Sequence, residues 1–154
     1  MLLILILALQ AESQTHNHFD VGKLVRITET SDLNALAILV KKHDHIVFDS
    51  SRLEDGSLFY YTREMKVNGN ILACSIDVKG KMVALTFSTI DIGTYIDFRN
   101  QILGLGFISS GKTKASFTGM LEMEDFTKGK FEIGNGTRQK ENGAVEYEFI
   151  FVMW

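Results

Sequence analysis

Two segments of the chain repeat their apolar residues every three or four positions, which is the spacing of an amphipathic helix. The first covers residues 31–43 and opens with a candidate N-cap, either Ser31 or Asp32. Its apolar positions are Leu33, Leu36, Leu39 and Val40. The second covers residues 89–107 and meets a stop at Gly104 and Gly106. Its apolar positions are Ile92, Tyr95, Phe98, Ile102 and Leu105, with Asp97, Asn100 and Gln101 on the opposite side.

Each predicted helix is followed by four segments in which apolar and polar residues alternate, the pattern of a half-buried strand. The segments are residues 45–50, 57–67, 70–78, 81–88, 106–110, 115–123, 130–140 and 144–154. Turns are predicted at Asn68-Gly69, Lys79-Gly80 and Asn142-Gly143, since Asn-Gly between such runs is a strong hairpin signal. The alternation assigns three sets to buried faces: Leu72, Cys74, Ile76 and Val78; Val83, Leu85 and Phe87; Val145, Tyr147, Phe149, Phe151 and Met153. Ile150, Val152 and Trp154 make the end of the last strand apolar on both faces, which predicts that it is covered.

The two halves also match each other in sequence. A shift of 59 positions places Thr30 on Thr89, Asp32 on Asp91 and Phe48 on Phe107. Together with the equal order of elements, this predicts an α+β fold made of two pseudo-repeats, each a helix followed by four antiparallel strands. We expect the helices to pack on one face of the sheet. The first repeat would span residues 30–88 and the second residues 89–154, together forming one compact domain.

The first residues are typical of an export signal. Leu2–Leu9 is a short apolar run, and Ala11 and Ser13 follow it in the positions of a cleavage site. Residues 1–13 are therefore predicted to be a signal peptide, and residues 14–29 an N-terminal segment of an exported, periplasmic or secreted protein. Met1 carries no basic residue beside it, so the alternatives are a start placed too late or a hydrophobic first strand. Eight apolar residues are too few to span a bilayer, for which about 20 are needed.

Composition narrows the classes of function. The 154 residues are 45% hydrophobic and 23% charged, which suits a folded domain with a sizeable core. A net charge of −3 argues against a nucleic-acid binder and against docking on an anionic membrane. The single cysteine, Cys74, cannot form an internal disulfide, and its place in an apolar strand predicts an inert thiol.

The stretch Gly106–Thr113, GFISSGKT, satisfies the phosphate-loop pattern. A phosphate loop must join a strand to a helix, whose N-terminus completes the anion site. Here a predicted helix precedes the pattern and an alternating strand follows it. We therefore predict no nucleotide site, and we interpret the match as accidental.

All four histidines occur in His-x-His pairs, His16 with His18 and His43 with His45. Residues two apart on an extended segment project from the same side, so each pair could offer two imidazoles to one metal ion. Solvated histidines in a terminal segment and at a helix C-terminus are the alternative. A metal-binding protein acting through these pairs is accordingly the second functional hypothesis.

Catalytic motifs such as G-x-S-x-G and H-E-x-x-H do not occur. Glu122, Glu124 and Asp125 are interpreted as a strand end that runs into a turn, so a small hydrolase is only a third hypothesis. The aromatic stretch at residues 58–63 is a candidate contact patch if one sheet face is uncovered. Its residues are Phe59 and Tyr61 on one face, Tyr60 on the other, and Arg63 beyond them. Packing beneath a helix or against the other half is the alternative interpretation.

Three stretches resemble small exported proteins of Bacteroidetes-type Gram-negative bacteria. They are the leucine-rich start that ends in SQT, the stretch DVGKLVRITETSDLNALAILVKKH and the stretch YIDFRNQILGLGF. The resemblance covers most of the chain and implies no active site. In architecture alone, tandem helix-plus-four-strand units are also similar to the β-lactamase inhibitory protein, whose concave sheet binds another protein. Likeness of architecture does not transfer function.

The sequence therefore predicts an exported, non-enzymatic binding module that uses a sheet face. Its partner would be an unidentified protein or small ligand, with no cofactor, no nucleic acid and no stable insertion in a membrane. The sequence predicts no oligomeric state.

Overall fold

The computed structural model describes residues 20–42, 48–62, 70–114 and 120–154, and they form an α+β fold. The helices in these ranges are α1 (Val21–Thr30), α2 (Leu33–Lys42) and α3 (Ile92–Gly104). The strands are β1 (Phe48–Arg52), β2 (Leu58–Thr62), β3 (Ile71–Ile76), β4 (Met82–Thr89), β5 (Ile108–Ser109), β6 (Thr113–Lys114), β7 (Met120–Lys128), β8 (Phe131–Gln139) and β9 (Val145–Met153). Within the described ranges, no helix has both the length and the apolar character needed to cross a membrane.

The strands form one antiparallel sheet in the order β1-β2-β3-β4-β9-β8-β7-β5, and β6 pairs with β7 beside β5. The pairing of β4 with β9 lies at the centre, where Phe87 is opposite Phe149 and Leu85 is opposite Phe151. The last strand of the chain therefore lies beside a strand from its middle. The α+β class and the antiparallel sheet predicted from the sequence are confirmed.

Helix α1 was not predicted, although its sequence contains the necessary signals. Asp20 caps it by accepting a hydrogen bond from the backbone N–H of Lys23 at 3.2 Å. Its buried residues recur at three- and four-residue spacing: Val21, Leu24, Ile27 and Thr28. Ser31 ends the helix in the left-handed conformation with φ of 53°, and Asp32 then accepts from the N–H of Ala35 near the start of α2. The segment assigned to an N-terminal region thus contains a packed helix.

Helix α3 ends at the predicted stop, Gly104, and it begins at Ile92, three residues after the start of the predicted segment. The Asp91 carboxylate accepts hydrogen bonds from the N–H and the hydroxyl of Thr94. Gly106, with φ of 83°, reverses the chain and donates its N–H to Leu103 O, while Phe107 N–H donates to Ile102 O. These two bonds form a Schellman motif, which satisfies carbonyls at the helix end. The predicted apolar stripe is only partly right, because Ile92 and Leu105 are exposed.

Aromatic side chains join α3 to the centre of the sheet. Phe98 stacks on Phe87 of β4 with ring centroids 4.1 Å apart, and it contacts Phe149 of β9 at 5.3 Å. One turn earlier, Tyr95 stacks on Tyr147 at 4.4 Å. Such pairs contribute about 0.5–1.5 kcal/mol beyond the burial of their area. The same helix therefore packs on both central strands.

Four strand predictions were wrong in detail. Val78 lies in the turn after β3 and is exposed, and Val83 is exposed because the register between β3 and β4 shifts after Ser75. Trp154 is 76% exposed, so the end of β9 is not covered as predicted. Glu122, Glu124 and Asp125 lie inside β7 and not at its end, because β7 continues to Lys128.

Replacing Phe98 by alanine tests the central packing. Phe98 is fully buried, and truncation of such a residue costs about 3–5 kcal/mol through lost burial and the cavity left behind. We expect the free energy of unfolding, measured by denaturant titration, to fall by that amount. Ile96→Ala on the exposed side of the same helix is the matched control and should change it by less than about 0.5 kcal/mol. Equal effects of the two substitutions would contradict the packing.

Candidate functional site

The alternation of side chains gives the sheet two faces. We call one the core face, because its residues join the single buried cluster of the described chain together with residues from α1, α2 and α3. The strand members of that cluster are Leu72, Cys74, Ile76, Met82, Leu85, Phe87, Phe126, Phe131, Ile133, Phe149 and Phe151. The intervening positions define what we call the second face.

The strand register arranges the second face in rows that cross the sheet. One row contains Phe59, Ser75, Ala84, Val152, Glu132 and Thr127. The next contains Tyr61, Ala73, Thr86, Ile150, Gly134 and Asp125. The third contains Ile71, Ser88, Glu148, Gly136 and Met123. Most of these side chains are half-buried, and the strand-borne residues of the core cluster all come from the core face.

The predicted aromatic patch is divided between the two faces. Phe59 pairs with Ser75 and Tyr61 pairs with Ala73, which assigns both to the second face. Tyr60 pairs with Cys74 and so belongs to the core face. Arg63 lies outside the described residues. Phe59 is half-buried at one side of the second face.

Carboxylates are concentrated on the β7–β9 side of the second face. Asp125 lies diagonally across from Glu132, and the pKa of Asp125 is raised first by burial and then by the charge of Glu132. Trp154 donates its indole N–H to Glu132 Oε2 at 3.1 Å. Arg138 forms a salt bridge with Glu148, with a nitrogen–oxygen distance of 3.5 Å. This half of the face is therefore net negative, whereas the β2–β4 half presents apolar and small side chains.

A buried ion pair lies on the core face beneath α3. The Arg99 guanidinium donates two hydrogen bonds of 2.9 Å to Glu124, one to each carboxylate oxygen, and Ser109 donates its hydroxyl to Oε1. Burial alone would raise the pKa of Glu124, but the hydrogen bonds from Arg99 and Ser109, with the charges of Arg99 and Lys112, hold it below its usual value. The sequence analysis missed this pair. The signal was the alternation, which gives Glu124 the same face as the buried Phe126.

The phosphate-loop pattern starts in the turn that ends α3 and continues through β5 and its connection to the first residue of β6. The Ser109 hydroxyl accepts a hydrogen bond from the N–H of Gly111. Ser110 donates its N–H to Asp125 O, and its hydroxyl accepts the N–H of Asp125. The Lys112 ammonium is 3.0 Å from Glu122 and 5.8 Å from the centre of the Tyr95 ring. The strand β6 begins at Thr113 and is antiparallel to β7. The backbone here continues as strand, where a phosphate loop would open a helix.

The structure describes the cysteine but not the two histidine pairs. His16, His18, His43 and His45 lie outside the described residues. Among the residues that are described, no three His, Cys, Asp or Glu side chains come together as a possible metal site. Cys74 is buried, and burial raises its pKa to about 11. Its thiol is therefore protonated at neutral pH, as predicted from its place in the strand.

Comparison of the chain with protein-family models, with curated protein sequences and with solved structures gives no match. The resemblances to exported proteins and to the β-lactamase inhibitory protein therefore stay predictions.

The buried pair predicts a pH-dependent loss of stability in Glu124→Gln. The lowered pKa of Glu124 means that its contribution is present at neutral pH, above the carboxyl's unfolded value, and is lost as pH falls through its folded value. We expect the variant to lose about 2–3 kcal/mol of unfolding free energy at pH 7, since charged hydrogen bonds are removed. The difference from wild type should shrink below about pH 4.

The matched control is Glu122→Gln on the same strand. Glu122 forms an exposed pair with Lys112, so its loss should cost less than about 1 kcal/mol. Denaturant titrations of both variants at pH 7 and pH 3.5 make the comparison. A Glu124→Gln deficit that is independent of pH would contradict the assignment.

Proposed function

We propose that the protein is an exported, non-enzymatic binding module that engages a protein partner through the second face of its sheet. The observation that carries the proposal is the division of the sheet. Residues of one face share a buried cluster with residues of the three helices, while the other face presents half-buried apolar and small residues outside that cluster. An apolar surface that the core does not use is a candidate interaction site.

We infer that all three helices pack on the core face. Their buried residues, among them Leu24, Leu36 and Phe98, join core-face residues in one cluster. The second face would then be free of helices from the described part of the chain. Small residues along β3 and β4, including Ala73, Ser75 and Ala84, would let a partner approach the sheet closely.

The proposed binding unit is a duplication. The strand order is mirrored about the β4–β9 pair, with β1-β2-β3-β4 on one side and the segments from β5 to β9 on the other. The 59-position shift also relates the two helix starts, because Asp32 accepts from Ala35 N–H and Asp91 accepts from Thr94 N–H. Each of these residues is displaced by 59 positions from its counterpart (32 to 91, 35 to 94). These agreements support two α-β4 repeats that build one continuous surface.

The charges of the second face favour a partner with basic and apolar groups together. Four carboxylates lie on the second face of β7–β9: Asp125, Glu132, Glu146 and Glu148. Among the described strand residues of this region, Arg138 is the cation on the same face. A partner segment could place apolar side chains over Ala84 and Ile150 and cationic ones toward the carboxylates. Complementary charge of this kind raises association rates and selects partners.

The polar groups of the core face support a role without catalysis. Both oxygens of Glu124 are engaged by Arg99, and Lys112 is paired with Glu122. The Cys74 thiol is protonated and buried. Export rests on the apolar run Leu2–Leu9, which lies outside the described residues. Metal binding through the histidine pairs stays a prediction for the same reason.

Ala84→Arg tests the proposed surface. Ala84 is central on the second face, where an arginine side chain would block close approach without entering the core. Peptides would be selected on the wild-type protein from a displayed random library, and their dissociation constants measured on both proteins. We expect at least a tenfold loss of affinity for the selected binders, about 1.4 kcal/mol.

The control is Ile38→Arg, a change of the same kind on the exposed side of α2, where the isoleucine is 69% exposed. It should leave the affinities unchanged, and thermal melts should show both variants folded. Selected peptides that tolerate Ala84→Arg but fail on Ile38→Arg would refute binding through the second face.

A further inference from the structure

A small cavity lies away from the second face, between α1 and the far end of the sheet. Its volume is about 190 Å³. It is lined by Gly22, Val25, Glu29, Leu105, Phe107, Lys128 and Phe131. Val25, Leu105 and the two phenylalanines form the apolar part of its walls, and the rings of Phe107 and Phe131 meet edge to face at 5.8 Å.

The size of the cavity restricts its occupant. Sites for cofactors and drug-sized molecules usually enclose about 300–1,000 Å³, so this cavity is too small for a nucleotide. An apolar cavity of about 150 Å³ in another protein binds benzene, which sets the scale for a single ring. The occupant should therefore be one ring or one branched aliphatic group, with any polar part at the mouth.

Hydrogen bonds hold the walls in place. The α3 end that contributes Leu105 and Phe107 is fixed by the Schellman motif at Gly106. Lys128 donates from Nζ to Leu105 O at 2.6 Å and lies 5.9 Å from the centre of the Phe107 ring. On the opposite wall, the first N–H of α1, that of Val21, donates to Gln101 Oε1 at 3.0 Å. Both walls are thus tied to α3, so collapse of the cavity would require these bonds to break.

Charges of both signs lie at the cavity. Glu29 comes from α1 and Lys128 from the end of β7, and the described part of the chain shows no ion pair between them. An ammonium group has three donors, and Leu105 O accepts one from Lys128, so two remain for a ligand. The Glu29 carboxylate can accept hydrogen bonds from a cation. A ligand that pairs with both residues must carry an ammonium group and a carboxylate.

We propose that this cavity binds an apolar α-amino acid, with its side chain between Val25, Phe107 and Phe131. The ligand's ammonium group would face Glu29 and its carboxylate would face Lys128. The site is separate from the second face, so the proposal does not depend on the binding function proposed above.

Calorimetry with L-phenylalanine, phenylacetate and phenethylamine tests the proposal. The three probes share the ring. L-phenylalanine carries both charges, phenylacetate only the carboxylate, and phenethylamine only the ammonium group. We expect L-phenylalanine to bind at least tenfold more tightly than either analogue. Glu29→Gln should remove its advantage over phenylacetate, and Lys128→Met should remove its advantage over phenethylamine, because each variant deletes one charge partner.

Val25→Phe, which fills the cavity, should weaken L-phenylalanine binding at least tenfold. Glu54→Gln and Lys79→Met, in exposed turns, are charge-matched controls that should leave all three affinities unchanged. Thermal melts establish that each variant is folded. Absence of heat with wild-type protein, equal affinity for the three probes, or binding that survives both Val25→Phe and Glu29→Gln would overturn the proposal.

Discussion

The packing of Phe98 against Phe87 and Phe149 is the contact on which the rest of the fold depends. It joins α3 to both central strands at once, and those strands are far apart in the sequence. Burial of these rings removes a large apolar area from water, which is the main favourable term in folding. Because α3 occupies one side of the β4–β9 pair, the opposite side is left to residues that the core does not use.

That division explains why polar groups of similar type have different roles. Glu124 lies on the core face, so its carboxylate is only 1% exposed and needs Arg99 and Ser109 to stay ionised. Asp125, the next residue, lies on the second face, where burial and the charge of Glu132 raise its pKa. One step along a strand therefore separates a residue that stabilises the fold from one that can contribute to binding.

The sequence predicted the parts of the fold that have strong local signals. The start of α2 follows from Asp32, the end of α3 from Gly104, and the strand faces from alternation. The prediction of buried residues failed where tertiary contacts decide. Val83 is exposed because the register between β3 and β4 shifts, and Ile92 is exposed because only one side of α3 meets the sheet. Helix α1 was missed although Asp20 and its apolar spacing were readable. The cavity joins residues from distant segments, which no local pattern could indicate.

Solvent paramagnetic relaxation, measured on the methyl groups of the whole chain, tests the central claim most directly. A dissolved paramagnetic agent relaxes exposed methyl groups and spares buried ones. If the second face is open, Ala84, Thr86 and Ile150 should relax several times faster than Leu72 and Leu85, their neighbours on the core face. Equal protection of the two sets would show that both faces are covered, and it would contradict the division of the sheet from which the binding function is proposed.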